Sequence, residues 1–175
     1  LKNVHLYQNS FSGHIIGEIF TALSNLEVLF LSSNSLSGGI PSDVIGSQRT
    51  LKGLYLSDNN LGGGIPQEVC GLYKLQDLFL DTNNFDGAIP SCLGNLSTLR
   101  QFYAFKNRFG GNVPRSIMTL PYLDGLGLEQ NDLRGGLDEQ TCAVVSQDKT
   151  LSIWADCLEL EGGCECCEQC CSDQS

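Results

Sequence analysis

Apolar residues return along this chain in a fixed arrangement. Each of six successive units has an apolar residue at its first, fourth and sixth positions, and the units begin at Leu1, Leu26, Leu51, Leu75, Leu99 and Leu123. The alternation between the fourth and sixth positions predicts a short β-strand with one buried face. A period of 24 or 25 residues, kept over six units, predicts a repeat architecture.

Other positions of the unit also recur. An asparagine ends each strand, and we expect its amide to bond the backbone of its own turn and of the neighbouring coil. An apolar residue and then a glycine follow, and the glycine indicates a positive φ or a close approach of the next coil. Four units continue to a proline, which fixes the chain. These positions are Asn9, Asn34, Asn59, Asn83, Asn107 and Asn131; Phe11, Leu36, Leu61, Phe85, Phe109 and Leu133; Gly13, Gly38, Gly63, Gly87, Gly111 and Gly135; and Pro41, Pro66, Pro90 and Pro114.

One such unit cannot bury its apolar side alone, whereas stacked units can. The sequence therefore predicts a solenoid whose strands form a parallel sheet, with about 4.8 Å between neighbouring strands.

The full pattern, L-x-x-L-x-L-x-x-N-x-L-x-G-x-I-P, resembles the plant-type leucine-rich repeat and covers residues 1–138. The resemblance implies an α/β solenoid that is right-handed and curved, with the parallel sheet on the concave face and 3₁₀ turns on the convex face. It also implies extracellular recognition, as in receptor ectodomains, receptor-like proteins and inhibitors of wall-degrading enzymes. Ile16 and Asp138 replace the proline in the first and sixth units. Because Leu1 begins within the pattern and no cap precedes it, we expect further repeats before it.

The chain divides into two predicted parts. Residues 1–137 form the six repeats, and residues 138–175 form a C-terminal cap with a short helix, a last strand and an acidic, cysteine-rich tail. The predicted helix spans residues 138–149, with Asp138 as its N-cap. The strand spans residues 151–157 and places Trp154 at the second leucine position, where we expect it to cover the end of the core.

Charge and composition exclude several classes of function. The chain has 20 acidic and 10 basic residues, a net charge of -10, so non-specific nucleic-acid binding is not expected. No apolar run approaches the roughly 20 residues that span a bilayer, although an anchor elsewhere in a longer product stays open. His5 and His14 are expected at the surface, and no nucleophile, base and orienting group can be assembled. We therefore predict a protein that is not an enzyme and needs no cofactor or metal.

The nine cysteines fall into two groups. Cys70 and Cys92 lie on the convex turns and are interpreted as small buried apolar residues, with a mutual disulfide as the minor alternative. For the tail we favour a disulfide-stapled cap, over a zinc cluster built on the C-x-x-C of Cys167 and Cys170 and over a redox centre. An odd count leaves one tail thiol free or paired elsewhere. The tail cysteines are Cys142, Cys157, Cys164, Cys166, Cys167, Cys170 and Cys171.

An oxidising compartment suits this cysteine usage, and it also suits a glycosylation acceptor. Asn95-Leu96-Ser97 has the N-x-S form and falls on a predicted convex turn. We therefore expect the protein outside the cell or at its surface.

Strand alternation also predicts which side chains leave the core on the concave face. An aromatic column is expected at the fifth position of the units, flanked by polar and charged groups. The structural interpretation is cross-strand stacking; the functional one is a recognition surface for a protein, peptide or glycan, and the two can coexist. Acidic groups on this face weakly favour a basic partner. The candidate residues are His5, Phe30, Tyr55, Asp58, Asp77, Phe79, Asp81, Tyr103, Phe105, Lys106 and Glu129.

The sequence thus predicts a non-catalytic extracellular module of a receptor-like protein in signalling or defence. Two alternatives stay open at this point, namely a secreted inhibitor of a wall-degrading hydrolase and a structural protein of the wall or matrix.

Overall fold

Two parallel sheets run along the chain in the computed structural model, which describes residues 1–134, 152–155 and 169–170. Within these residues one sheet has eight strands and the other has six, and neighbouring strands come from successive units. The first sheet orders β1 (Asn3–His5), β3 (Val28–Phe30), β5 (Gly53–Tyr55), β7 (Asp77–Phe79), β9 (Gln101–Tyr103), β11 (Gly125–Gly127), β13 (Ser152–Ala155) and β14 (Gln169–Cys170). The second contains β2 (Ser12–His14), β4 (Ser35–Gly38), β6 (Asn60–Gly63), β8 (Asn84–Ala88), β10 (Arg108–Gly111) and β12 (Asp132–Leu133).

Short helical turns connect each unit to the next. They are the one-turn helices α1 (Glu18–Ala22), α2 (Ser42–Ile45) and α3 (Arg115–Met118), and the 3₁₀ turns Gln67–Gly71 and Ser91–Asn95. The expected 3₁₀ turns are thus present, and one-turn α-helices occur beside them. Pro66, Pro90 and Pro114 each stand just before a turn with φ between -64° and -68°, which suits proline at a helix start. In the described ranges no helix is both long and apolar enough to cross a membrane.

The core lies between the sheets and the helical turns, and it is continuous from unit to unit. Leucines at the first position, such as Leu51, Leu75 and Leu99, have no exposed surface. The first unit shows why stacking is required. Phe11 is 46% exposed, whereas Leu36, which holds the same position one unit later, is 6% exposed. A buried side chain of this size contributes roughly 1.5–3 kcal/mol, so a unit gains stability when a preceding unit covers it.

The recurring asparagines tie each unit to the one before it, as expected. Asn83 Nδ2 donates to the carbonyls of Leu80 and Asp81, both at 3.1 Å, and to the carbonyl of Leu56 in the preceding unit at 2.9 Å. Its Oδ1 accepts the backbone N–H of Leu61 at 3.0 Å. One side chain thus satisfies backbone groups that a buried bend would leave unpaired. The same set of contacts recurs at Asn34, Asn59, Asn107 and Asn131.

Two residues in each of the first five units adopt a left-handed backbone conformation. The recurring glycine has φ between +72° and +87° at Gly13, Gly38, Gly63, Gly87 and Gly111, which confirms the reason for its presence. The residue before each asparagine is also left-handed although it is not glycine, with φ between 54° and 58°. Backbone bonds between units hold this conformation, for example from Asp58 N–H to the Asp81 carbonyl at 3.0 Å. These residues are Gln8, Ser33, Asp58, Thr82, Lys106 and Gln130.

Cys70 and Cys92 form a disulfide, with their Cα atoms 5.8 Å apart. The interpretation of both as buried apolar thiols was therefore wrong, and the minor alternative holds. Adjacent helical turns bring the two residues together despite their different places in the unit. Six of the seven tail cysteines lie outside the described residues, and only the backbone of Cys170 is described, so the disulfide-stapled cap stays a prediction.

The register of β13 corrects the alignment of the last strand. Ile153 pairs with Leu126, and Trp154 pairs with Gly127. Ile153, with 1% exposure, thus holds the second leucine position that the sequence pattern gave to Trp154. The unit positions in this strand are therefore shifted by one residue from the predicted alignment. The reason is that the second leucine position is buried, and the aliphatic Ile153 continues the core column at that position. The predicted helix over residues 138–149 lies outside the described residues.

The asparagine contacts predict a graded loss of stability. We expect Asn83→Ala to lower the free energy of unfolding by about 1–3 kcal/mol, because it leaves the Leu61 N–H and the carbonyl of Leu56 unpaired. Asn9→Ala is the control: in the exposed first unit the Asn9 amide donates to the carbonyls of Leu6 and Tyr7, so the loss should be smaller. Urea unfolding followed by circular dichroism measures both, and equal losses would contradict the role assigned to contacts between units.

The disulfide predicts a second effect on stability. Cys70 and Cys92 are 22 residues apart, and closing a loop of this length restricts the unfolded chain by roughly 3 kcal/mol. Replacing both residues by serine should lower the free energy of unfolding by that order in urea titrations. In the unreduced wild type, mass spectrometry after alkylation should find neither thiol modified. Free alkylation of either one in the native protein would rule the bond out.

Candidate recognition face

Five aromatic rings form a continuous column on the solvent side of the eight-stranded sheet, here called the concave face. They are His5, Phe30, Tyr55, Phe79 and Tyr103, each the last residue of its strand. Successive ring centroids lie 4.8, 4.0, 4.9 and 4.8 Å apart, with the first two pairs stacked and the next two edge to face. Strand alternation produces the column, because the residue before each ring points into the core.

Both interpretations of the column find support in this geometry. Each ring contacts its neighbour closely enough for cross-strand stabilisation of roughly 0.2–1 kcal/mol per pair. At the same time the four rings after His5 are only half-buried, and His5 is exposed, so the column presents ring surface to solvent. Contact with its neighbours limits the rotamers that each ring can adopt.

The column ends over a strand with two glycines. A Cβ atom added to Gly125 would lie 2.6 Å from Tyr103 Oη, and one added to Gly127 would lie 2.7 Å from Tyr103 Cδ1. The Tyr103 ring therefore occupies the space above β11, and only glycine leaves room for it there. Phe105 meets Tyr103 edge to face at 6.4 Å, and at the other end Tyr7 meets His5 edge to face at the same distance, so the aromatic surface is two rings wide at both ends.

Carboxylates hold hydroxyl groups beside the column. Tyr55 Oη donates to Asp77 Oδ2 at 2.7 Å, and Ser57 Oγ donates to Asp81 Oδ1 at 2.6 Å. Burial and the hydrogen bond to Asp77 raise the pKa of Tyr55, so this phenol stays neutral at physiological pH. Burial also raises the pKa of Asp81, although the hydrogen bond from Ser57 opposes the rise. Burial disfavours the charged form of the Asp81 carboxylate, and a cation placed beside it would stabilise that form again.

The remaining predicted residues are spread along one border of the column. Asp58 and Lys106 are exposed at the left-handed turn positions, while Phe105 and Glu129 are half-buried. The Asp58 charge acts on Asp81 in the next unit. The Lys106 N–H donates to the Glu129 carbonyl at 2.9 Å. The structure therefore brings the sequence-predicted residues onto one face, with the acidic groups next to the rings.

A row of charges on the opposite border was not anticipated. Glu27 accepts from Lys2 and Lys52, each at 2.6 Å, and Arg100 donates twice to Asp124 Oδ2, at 2.8 and 2.9 Å. All of these residues hold the second position of their units. The signal was present in the sequence, where that position holds Lys2, Glu27 and Lys52, and then Arg100 and Asp124 after the uncharged Gln76. In a parallel sheet of about 4.8 Å spacing, equal unit positions become neighbours.

Comparison with known proteins agrees with this architecture. The family model of the leucine-rich repeat matches residues 25–46, 50–72 and 74–96. No sequence among the curated proteins matches the chain.

Solved structures of plant receptors are similar to the chain. One is the ectodomain of the membrane receptor kinase GASSHO1/SCHENGEN3 from Arabidopsis thaliana in complex with CASPARIAN STRIP INTEGRITY FACTOR 2, at 33% identity and a TM-score of 0.79 over 89% of this chain and 18% of that one. Another is the Arabidopsis receptor kinase HAESA with the peptide hormone IDA and the co-receptor SERK1, at 31% identity and a TM-score of 0.78, over 89% of this chain and 26% of that one.

A third similar structure is Pollen Receptor Kinase 3, at 27% identity and a TM-score of 0.79, over 99% of this chain and 78% of that one. The chain spans about a fifth to a quarter of the length of the first two receptors.

The charge row predicts a pH-dependent contribution to stability. Hydrogen bonds from Lys2 and Lys52 lower the pKa of Glu27 from 4.5 to about 2. Since the folded-state pKa is depressed, the contribution is fully present above the unfolded value and is lost as pH falls towards 2. The difference in unfolding free energy between the wild type and Glu27→Gln should therefore shrink from pH 6 to pH 2. Glu18→Gln, at an exposed carboxylate on α1, is the control, and a difference that stays constant with pH would contradict the assignment.

Proposed function

We propose that this chain, which is a leucine-rich repeat protein, is a non-catalytic recognition module that binds a peptide along its concave face. It would act outside the cell or at its surface, as part of a receptor-like protein. The observation that carries the proposal is the aromatic column from His5 to Tyr103, whose rings are fixed by one another and still reach solvent.

The column suits an extended peptide for two reasons. Aromatic rings give large contact area at little cost in side-chain entropy, and here mutual contacts between the rings have already restricted their motion. The column also crosses five neighbouring strands, which gives a length of roughly 19 Å at about 4.8 Å per step. Several residues of an extended chain cover that distance, since each adds about 3.3 Å.

The charges beside the rings favour a ligand with basic residues. Asp77 and Asp81 lie on the concave face and already accept hydrogen bonds from hydroxyl groups. Because Asp81 is partly desolvated, a lysine or arginine of the ligand would stabilise its charged form. Apolar residues on the column, next to a basic residue at these carboxylates, form the recognition pattern that we propose.

The similar structures support this assignment. GASSHO1/SCHENGEN3 and HAESA are receptor kinases, and their structures were solved in complex with CASPARIAN STRIP INTEGRITY FACTOR 2 and with the peptide hormone IDA. The extracellular location, the receptor-like context and the peptide ligand proposed for this chain rest on that likeness together with its own concave face.

A displayed random-peptide library tests the proposal. Peptides would be selected on the immobilised chain, and their affinity would be compared between the wild type and the single variants Tyr55→Ala, Phe79→Ala and Tyr103→Ala. We expect at least one variant to weaken binding about tenfold, the loss typical of a central contact residue. Selected peptides should be enriched in lysine and arginine beside apolar residues.

The control for this experiment is Tyr122→Ala. Tyr122 is an exposed tyrosine that follows the helical turn α3, and its replacement should leave binding unchanged. Circular dichroism checks that every variant is folded. Selected peptides that bind the folded concave-face variants as tightly as the wild type would refute a binding role for the column.

A further inference from the structure

A depression of about 540 Å³ lies among the helical turns, on the side of the solenoid away from the aromatic column. Three successive units line it, with Arg49, Glu68, Gly71, Tyr73 and Asn95 among the residues. The lining thus combines charged groups, an amide and one aromatic ring.

Two of the three units that line the depression lack a side chain at the same unit position, where Gly46 and Gly71 stand. Gly71 holds the unit position that Asn95 holds 24 residues later. Arg49 crosses the edge of this gap: its Nη1 donates to the Gly71 carbonyl at 2.9 Å, and its guanidinium lies 5.6 Å from the centre of the Tyr73 ring. Arg49 therefore holds one side of Tyr73, which stays 63% exposed.

The acceptor triplet lies in the unit that follows Tyr73. Asn95 ends the turn Ser91–Asn95, and both Asn95 and Ser97 are exposed. Ser97 holds the same unit position as Tyr73, one unit later, and Thr98 Oγ1 donates to the Tyr73 carbonyl at 3.1 Å. The acceptor amide and an exposed aromatic ring thus border one depression.

We propose that Asn95 carries an N-linked glycan whose first sugar packs on Tyr73 above Gly71. The face of an aromatic ring carries negative potential, which attracts the C–H groups on the flat side of a pyranose. The hydroxyl and acetamido groups at the edge of the sugar would meet Arg49 and Glu68. The glycan would then pack against the protein surface, whereas N-linked glycans are generally bulky, solubilising surface groups.

The covalent step is an ordinary group transfer. The Asn95 amide nitrogen forms a bond to the anomeric carbon of an oligosaccharide carried on a lipid diphosphate. The bond between that carbon and the phosphate oxygen breaks, the diphosphate leaves with the electron pair, and the amide nitrogen releases one proton. The sugar donor is therefore the only co-reactant. The inference requires passage through a secretory pathway but no ligand on the concave face, so it and the proposed function can fail separately.

Secreted protein tests the inference. The 175-residue chain would be produced in plant cells with an added secretion signal, and enzymatic glycan release in H₂¹⁸O would report occupancy of Asn95. Melting temperatures would then be compared for the wild type, Asn95→Gln, Tyr73→Ala and the double variant. We expect Asn95→Gln to lower the melting temperature by about 2 °C in the wild type, a measurable shift for a chain of this size, and to have no effect when Tyr73 is absent.

Tyr122→Ala is the matched control, because Tyr122 is also 63% exposed and lies outside the depression. In the Tyr122→Ala protein, Asn95→Gln should still lower the melting temperature.

The proton spectrum gives an independent readout, since ring current should shift the protons of the first sugar and Tyr73→Ala should abolish that shift. An unoccupied Asn95 would overturn the modification. Equal losses of melting temperature with and without Tyr73, or unshifted sugar protons, would overturn the packing on Tyr73.

Discussion

Every feature of this protein depends on contacts between one unit and the next. No unit has enough apolar surface to form a closed core, as the exposed Phe11 of the first unit shows. The asparagine amide makes the dependence specific, because Asn83 bonds the carbonyl of Leu56 and the N–H of Leu61 in the preceding unit while it closes its own turn. Hydrogen bonds between neighbours fix the register, and apolar burial between the same neighbours supplies most of the stabilisation.

Fixed stacking turns each position of the unit into a row across the molecule. The first position becomes a column of buried leucine from the second unit onward. The second becomes a row of charges interrupted at Gln76, and the fifth a column of rings from His5 to Tyr103. Residues that are 24 or 25 apart in sequence thus become neighbours, as the ion pair of Lys52 with Glu27 and the ring contact of Phe30 with Tyr55 show. A recognition surface can therefore be varied row by row without changing the core columns.

Much of this architecture could be predicted, because the repeat pattern indicates which positions are buried and which form hydrogen bonds. The asparagine contacts and the left-handed glycines follow directly from residue chemistry. The second sheet was missed because strands such as Ser35–Gly38 contain only one buried residue and resemble a turn in sequence. The left-handed conformation of Thr82 was missed because a β-branched residue disfavours it, and only bonds between units impose it.

The candidate site was predictable in outline only. Alternation placed the rings on one face, but their contact geometry and the packing of Tyr103 over Gly125 and Gly127 require coordinates. The disulfide was only the minor alternative because Cys70 and Cys92 are 22 residues apart, two fewer than the local period. The column itself has an evolutionary consequence. Since the rings of the column contact one another only between neighbouring strands, duplication of one unit in the gene would lengthen the column by one ring and repeat the same kind of contact. The length of a bound chain could thus be matched by copy number.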